Sequence, residues 1–88
     1  MEREIILKNK LGLHLRAAAA LTKVTNKYPF EIYILKEDQE VNAKSIMSVV
    51  SLAAPCGTRL IIKAEGKNAA EALDEIIQLV EKRFGEKE

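Results

Sequence analysis

Segments with an apolar period of two alternate with segments of period 3.6 along the 88 residues, which restricts the chain to a mixed fold of strands and helices. Arg3 to Lys8 reads as a strand with Ile5 and Leu7 on one face and Ile6 on the other. Asn9 to Gly12 is turn-like. From Leu15 to Lys27, four consecutive alanines with Leu21, Val24 and Tyr28 specify a helix that Pro29 stops. Phe30, Ile32 and Ile34 alternate with Glu31 and Tyr33 in a second strand, and a shorter strand surrounds Val41. Ile46 to Ala54 predicts a short helix ended by Pro55-Cys-Gly57, and Arg59 to Glu65 a further strand. Asn68 and Glu71 resemble a capping box at the head of a long helix. Ala69, Ala72, Leu73, Ile76, Val80 and Phe84 form its apolar stripe, and Gly85 ends it. The order β-α-β-β-α-β-α, with one apolar face per element, predicts an α+β fold: a sheet covered by helices on one side and solvated on the other.

The chain holds no linker, repeat or low-complexity tract, and we expect a single domain over residues 1–88. Apolar residues are 48% and charged residues 31%, an ordinary soluble balance. The net charge is +1, from 14 Lys and Arg against 13 Asp and Glu, and aromatic residues are only 5%. A nucleic-acid binder needs a basic face and stacking aromatics, so that class is disfavoured. The single Cys56 forms no internal disulfide and reads as a small turn residue. One cysteine and one histidine are too few for a four-ligand zinc centre, so no metal and no cofactor are expected. The opening residues lack the apolar stretch of a signal peptide, and no apolar run approaches the ~18 residues of a membrane span. The expectation is a cytoplasmic protein with no membrane insertion.

Residues Gly12-Leu-His-Leu-Arg16 lie where the first strand leads into the first helix. The first N–H groups of a helix lack internal partners, and the macrodipole adds partial positive charge there, so this is a favourable place for an anion. Gly12, Ala17 and Ala18 are the candidate backbone positions for holding phosphate. Arg16 offers planar donors matched to phosphate oxygens, and neutral His14 offers a nucleophilic nitrogen. A histidine that accepts a phosphoryl group beside a nest that holds it is one reading. A surface histidine beside a helix-end arginine, with no chemistry at all, is the other.

Gly12-Leu-His-Leu-Arg-Ala-Ala18, Asn42-Ala-Lys-Ser-Ile-Met-Ser-Val-Val-Ser-Leu52, Ala64-Glu-Gly66 and Glu71-Ala-Leu73 together resemble the HPr family, in that family's order and spacing over nearly the whole chain. These are the histidine-containing phosphocarriers of the bacterial phosphoenolpyruvate-dependent sugar phosphotransferase system. The resemblance implies an open-faced β-sandwich of four antiparallel strands under three helices. It implies that His14 is phosphorylated on Nδ1, that Arg16 stabilises the phosphoryl group, and that Ser45 is the target of an ATP-dependent HPr kinase/phosphorylase in some bacteria. It places Leu15, Ile46 and Met47 on the docking surface. Enzyme I would donate the phosphoryl group and enzyme II A domains accept it, with this protein a shuttled substrate and not an enzyme. Transient docking of that kind suits a monomer.

The chain departs from the family pattern at several positions. Ala17 stands where the family has proline, which removes a restraint on Arg16. Ser48 and Ala53 replace glycines, and Val50 replaces a common methionine. Ser45 also reads as a plain helix N-cap. The acidic and basic residues after Gly85 read as a solvated helix end. Two rival readings stand beside the carrier. A regulatory relative of nitrogen-branch or carbon-regulation type would keep His14 and change the partners. A small phosphohydrolase of acylphosphatase type would use an arginine near the first helix, but its glycine-valine loop is missing.

Overall fold

The computed structural model describes residues 1–88. Its elements are β1 (Glu2–Ile6), α1 (Leu15–Thr25), β2 (Ile32–Lys36), β3 (Gln39–Asn42), α2 (Ile46–Val50), β4 (Arg59–Ala64) and α3 (Ala69–Glu81), followed by a 3-10 turn over Arg83–Gly85. The strands form one antiparallel sheet in the order β1-β4-β2-β3. The fold is the expected α+β architecture, a four-stranded antiparallel sheet under three helices.

Register decides which face is buried. Ile5 pairs with Leu60, Ile62 with Ile34, and Ala64 with Ile32, so these side chains line one face of the sheet. All six are buried. Against them pack Ala17, Ala18 and Leu21 of α1, Val49 of α2, and Ala72, Leu73, Ile76 and Val80 of α3. The alanines that favour α1 by propensity also let it sit close to α2 and α3, because a methyl group adds little width. The opposite face carries Glu4, Ile61, Lys63, Tyr33 and Leu35, with ion pairs from Arg59 to Glu4 and from Lys63 to Glu40. Such partly exposed pairs contribute little stability.

The element ends differ from the sequence expectations for local reasons. Helix α1 stops at Thr25, before Pro29, because the Asn26 amide Nδ2 donates to the Thr22 carbonyl at 2.9 Å and closes the last turn. Helix α2 stops at Val50 and not at Ala54, because Ala53 takes φ +50° and breaks the helical path. The Asn68–Glu71 box does not form: Asn68 has φ −136° and ψ 27°, and its side chain makes no capping bond. Phe84 does not belong to the stripe of α3. The helix ends at Glu81, and Arg83 and Phe84 both adopt φ 55°, which turns the Phe84 ring back onto the core.

Candidate functional site

The site begins with a rigid loop. Asn9 is fully buried, its backbone carbonyl accepts the Gly12 N–H at 3.1 Å, and its Nδ2 donates to the Gly12 carbonyl at 2.7 Å. Gly12 has φ +68°, and a Cβ there would lie 2.4 Å from the Ala54 carbonyl oxygen and 2.8 Å from the Pro55 Cα. Only glycine permits that approach. The Leu13 N–H then donates to the Ala54 carbonyl at 2.9 Å, which joins this loop to the segment after α2.

His14 follows as the N-cap of α1, with extended backbone at φ −78° and ψ −179°. Its Nδ1 accepts the Arg16 backbone N–H at 3.2 Å. A backbone N–H only donates, so in the neutral ring Nδ1 carries the lone pair and Nε2 carries the proton. Nε2 lies 2.5 Å from Oε2 of Glu86, and a quarter of the His14 side chain remains exposed.

The residues singled out from sequence meet this geometry unequally. His14 and Arg16 come together: the Arg16 side chain is largely exposed, and its Nε stands 3.9 Å from Glu86 Oε2. The three backbone positions expected to hold phosphate do not act alike. The Gly12 N–H is spent on Asn9, and the Ala18 N–H makes the first helical bond, to the His14 carbonyl at 2.8 Å. Ala17 alone of the three keeps an N–H without an acceptor in the chain, because it belongs to the first turn and precedes the first i to i−4 bond. Gly12 thus shapes the loop rather than donating to a ligand.

Helix α2 flanks the histidine. Ser45 is its N-cap, with Oγ accepting the Ser48 N–H at 3.3 Å. Met47 is 71% exposed and Leu15 61%, with Ile46 exposed beside them. Leu11 is exposed as well, and it lines a recess of about 390 Å³ together with His14, Val50, Ala53 and Pro55. Leu11 is absent from the docking residues expected from sequence, although a leucine in an otherwise polar turn is a readable signal.

Glu86 is the larger omission. Its neighbours in sequence suggest a solvated place, whereas its side chain is only 14% exposed and its Oε1 accepts from Asn9 Nδ2 at 3.0 Å. Burial pushes the Glu86 carboxyl up, but the hydrogen bonds from Asn9 and His14 and the nearby Arg16 charge outweigh it and hold the group below its ordinary value of 4.5. No local pattern predicts a contact spanning 72 residues. No three His, Cys, Asp or Glu side chains gather to hold a metal ion, and no helix is long and apolar enough to cross a membrane.

Comparison with known proteins fits this arrangement. The model of the PTS HPr component phosphorylation site matches residues 1–82. The phosphocarrier protein HPr of Cupriavidus necator is 38% identical over 88 residues, covering 100% of this chain and 99% of that protein. The HPr-like protein Crh of Halalkalibacterium halodurans is 38% identical over 82 residues, covering 93% of this chain and 98% of its own length. The crystal structure of an HPr from Thermoanaerobacter tengcongensis superposes with a TM-score of 0.94 at 39% identity, covering 100% of this chain and 99% of that one. With a lone-pair nitrogen on an N-cap histidine, an arginine at the second position of the helix and a match along the whole chain, this protein belongs to the HPr family of phosphotransferase-system phosphocarriers.

Proposed function

We propose that Nδ1 of His14 accepts a phosphoryl group from phosphoenolpyruvate-charged enzyme I and passes it to enzyme II A components of sugar uptake. The observation that carries this reading is the lone pair on Nδ1, held at the start of α1 by nothing stronger than a 3.2 Å bond from the Arg16 N–H. Attack through that lone pair releases the Arg16 N–H. It then joins the unpaired Ala17 N–H at the positive end of the helix, where both are available to phosphoryl oxygens. The exposed Arg16 guanidinium reaches the same oxygens from solvent and neutralises their charge. Phosphoryl transfer needs mostly positioning and charge neutralisation, and in this scheme the partners supply the remainder. The protein therefore turns over as a substrate, as a monomer in the cytoplasm. It presents Leu15, Ile46 and Met47 to each partner in turn, and Leu11 extends that apolar surface.

The test is intact-mass measurement after incubation with phosphoenolpyruvate and the cognate enzyme I, with His14→Ala alongside. One phosphoryl group, lost in acid and absent from His14→Ala, is the expected result. No addition to the wild type overturns the reading.

A second reading rests on Ser45 and on the similarity to Crh. In it the chain is a regulatory carrier not dedicated to sugar transport, and an HPr kinase/phosphorylase modifies Ser45. Phosphate on an N-cap serine is electrostatically tolerated, because it adds negative charge at the positive end of a helix. An ATP arm of the same mass measurement, run with a host extract and Ser45→Ala, separates the two: acid-stable addition at Ser45 without any at His14 favours regulation alone.

A further inference from the structure

The segment after Gly85 lies across the His14 loop, held by several bonds. The Glu86 N–H donates to the Arg83 carbonyl at 2.9 Å, and the Lys10 N–H donates to the Glu88 backbone oxygen at 2.7 Å. Asn9, itself fixed by its 2.7 Å bond to Gly12, takes one oxygen of the Glu86 carboxylate and leaves the other facing the ring. The carboxylate therefore meets the imidazole at the edge opposite Nδ1. Of the charged groups near the ring, Arg16 comes from α1 and Glu86 from this segment, with Lys10, Lys87 and Glu88 around the adjoining recess. On the α2 side the neighbours in the recess are Val50 and Ala53, which carry no charge.

We infer that Glu86 is a positioning residue for the phosphoryl relay: by accepting a hydrogen bond from the Nε2 N–H it holds His14 in the tautomer whose lone pair lies on Nδ1, and it neutralises the ring once that nitrogen bears phosphorus. This rests on His14 being the phosphoryl acceptor. In the step, the Nδ1 lone pair forms the new N–P bond while the bond between phosphorus and the donor group of charged enzyme I breaks and its electron pair returns to that donor. Nε2 keeps its proton, so the phosphorylated ring gains positive charge beside the Glu86 carboxylate. On transfer onward the Nδ1–P bond breaks, the pair returns to Nδ1, and the ring leaves as neutral imidazole. No proton has to move in either direction, because the carboxylate has kept it on Nε2 throughout. An orienting carboxylate of this kind acts through the ring it holds and never touches the phosphoryl group.

The experiment uses the full chain labelled with 15N, as wild type, Glu86→Gln and, as a neighbouring control, Lys87→Gln. Long-range proton–nitrogen correlation spectra show which ring nitrogen of unphosphorylated His14 bears the proton, and the rate of charging by enzyme I is measured on the same samples. The wild type and Lys87→Gln should show one tautomer, protonated at Nε2. Glu86→Gln should show a mixture and charge more slowly by about tenfold or more, the effect of one charge-assisted hydrogen bond. An unchanged tautomer in Glu86→Gln, or an unchanged rate, overturns the inference. If wild type takes no phosphoryl group, the phosphocarrier reading fails by itself, and the ring spectra still decide separately whether Glu86 sets the tautomer.

Discussion

Ala53 holds φ +50°, a left-handed conformation in which the Cβ of any L-residue crowds its own carbonyl. Its N–H donates to the Val50 carbonyl at 2.9 Å, so this conformation closes α2 and delivers the chain to Ala54 and Pro55, against which the His14 loop rests. Ala53→Gly keeps the geometry and removes the strain, at the cost of more chain entropy in the unfolded state. The balance should stabilise the protein by about 0.5–1 kcal/mol. A thermal melt should rise by several degrees, since about 1 kcal/mol moves a domain of this size by roughly 4–8 °C. A lower melting temperature would mean that the Ala53 methyl, which lines the recess beside His14, contributes more by packing than it costs in strain. Gly12 offers no such choice, because a Cβ there would strike backbone atoms of Ala54 and Pro55 that cannot rotate away.

Between elements, the turn that follows α1 is tied to α3 through Glu75. Its carboxylate accepts from the Tyr28 hydroxyl at 2.6 Å and from the Lys27 ammonium. Those two hydrogen bonds, Lys27 first and Tyr28 next, hold the Glu75 carboxyl below its ordinary value of 4.5, and the same contact pushes Tyr28 up to about 12. A carboxyl whose value is depressed on folding adds stability that is complete above its unfolded value and is lost as pH falls through the folded one. Glu75 is one-third exposed, so solvent screening keeps the contribution to about 1 kcal/mol or less. Glu75→Gln should therefore be less stable than wild type by that amount in urea at about pH 7, and the difference should shrink as the pH falls below the ordinary carboxylate range and through the depressed Glu75 value. A difference that does not change with pH would assign the contact to packing instead of charge. This tie is invisible in the sequence, whereas the helices themselves are legible, because Leu73, Ile76 and Val80 recur at helical spacing whatever they touch. The capping expectation at Asn68 fails because local pattern marks residues able to cap, and the backbone at φ −136° takes the side chain out of reach.

At the scale of the whole molecule, the site draws on three stretches far apart in the chain: the loop from Asn9 to Arg16, helix α2 with Ala53 and Pro55, and Glu86. The first two are legible because each is a compact run of unusual residues. The third is not, since a glutamate among lysines looks like any solvated surface and only the turn at Arg83–Gly85 brings it back. That turn also separates two roles. Phe84 is buried in the core cluster, whereas Glu86 to Glu88 add no residue to it and hold on by hydrogen bonds and ion pairs at the surface. Phe84→Ala should thus cost about 3–5 kcal/mol, the usual penalty for truncating a core aromatic, and lower the melting temperature by roughly 12 °C or more. Deleting Glu86 to Glu88 leaves Asn9 Nδ2 with one of its two acceptors, and should cost only about 1–2 kcal/mol. Melting both variants beside wild type checks the separation. If the deletion destabilises as much as Phe84→Ala, the segment is part of the folding unit, and its hold on His14 is inseparable from the stability of the fold.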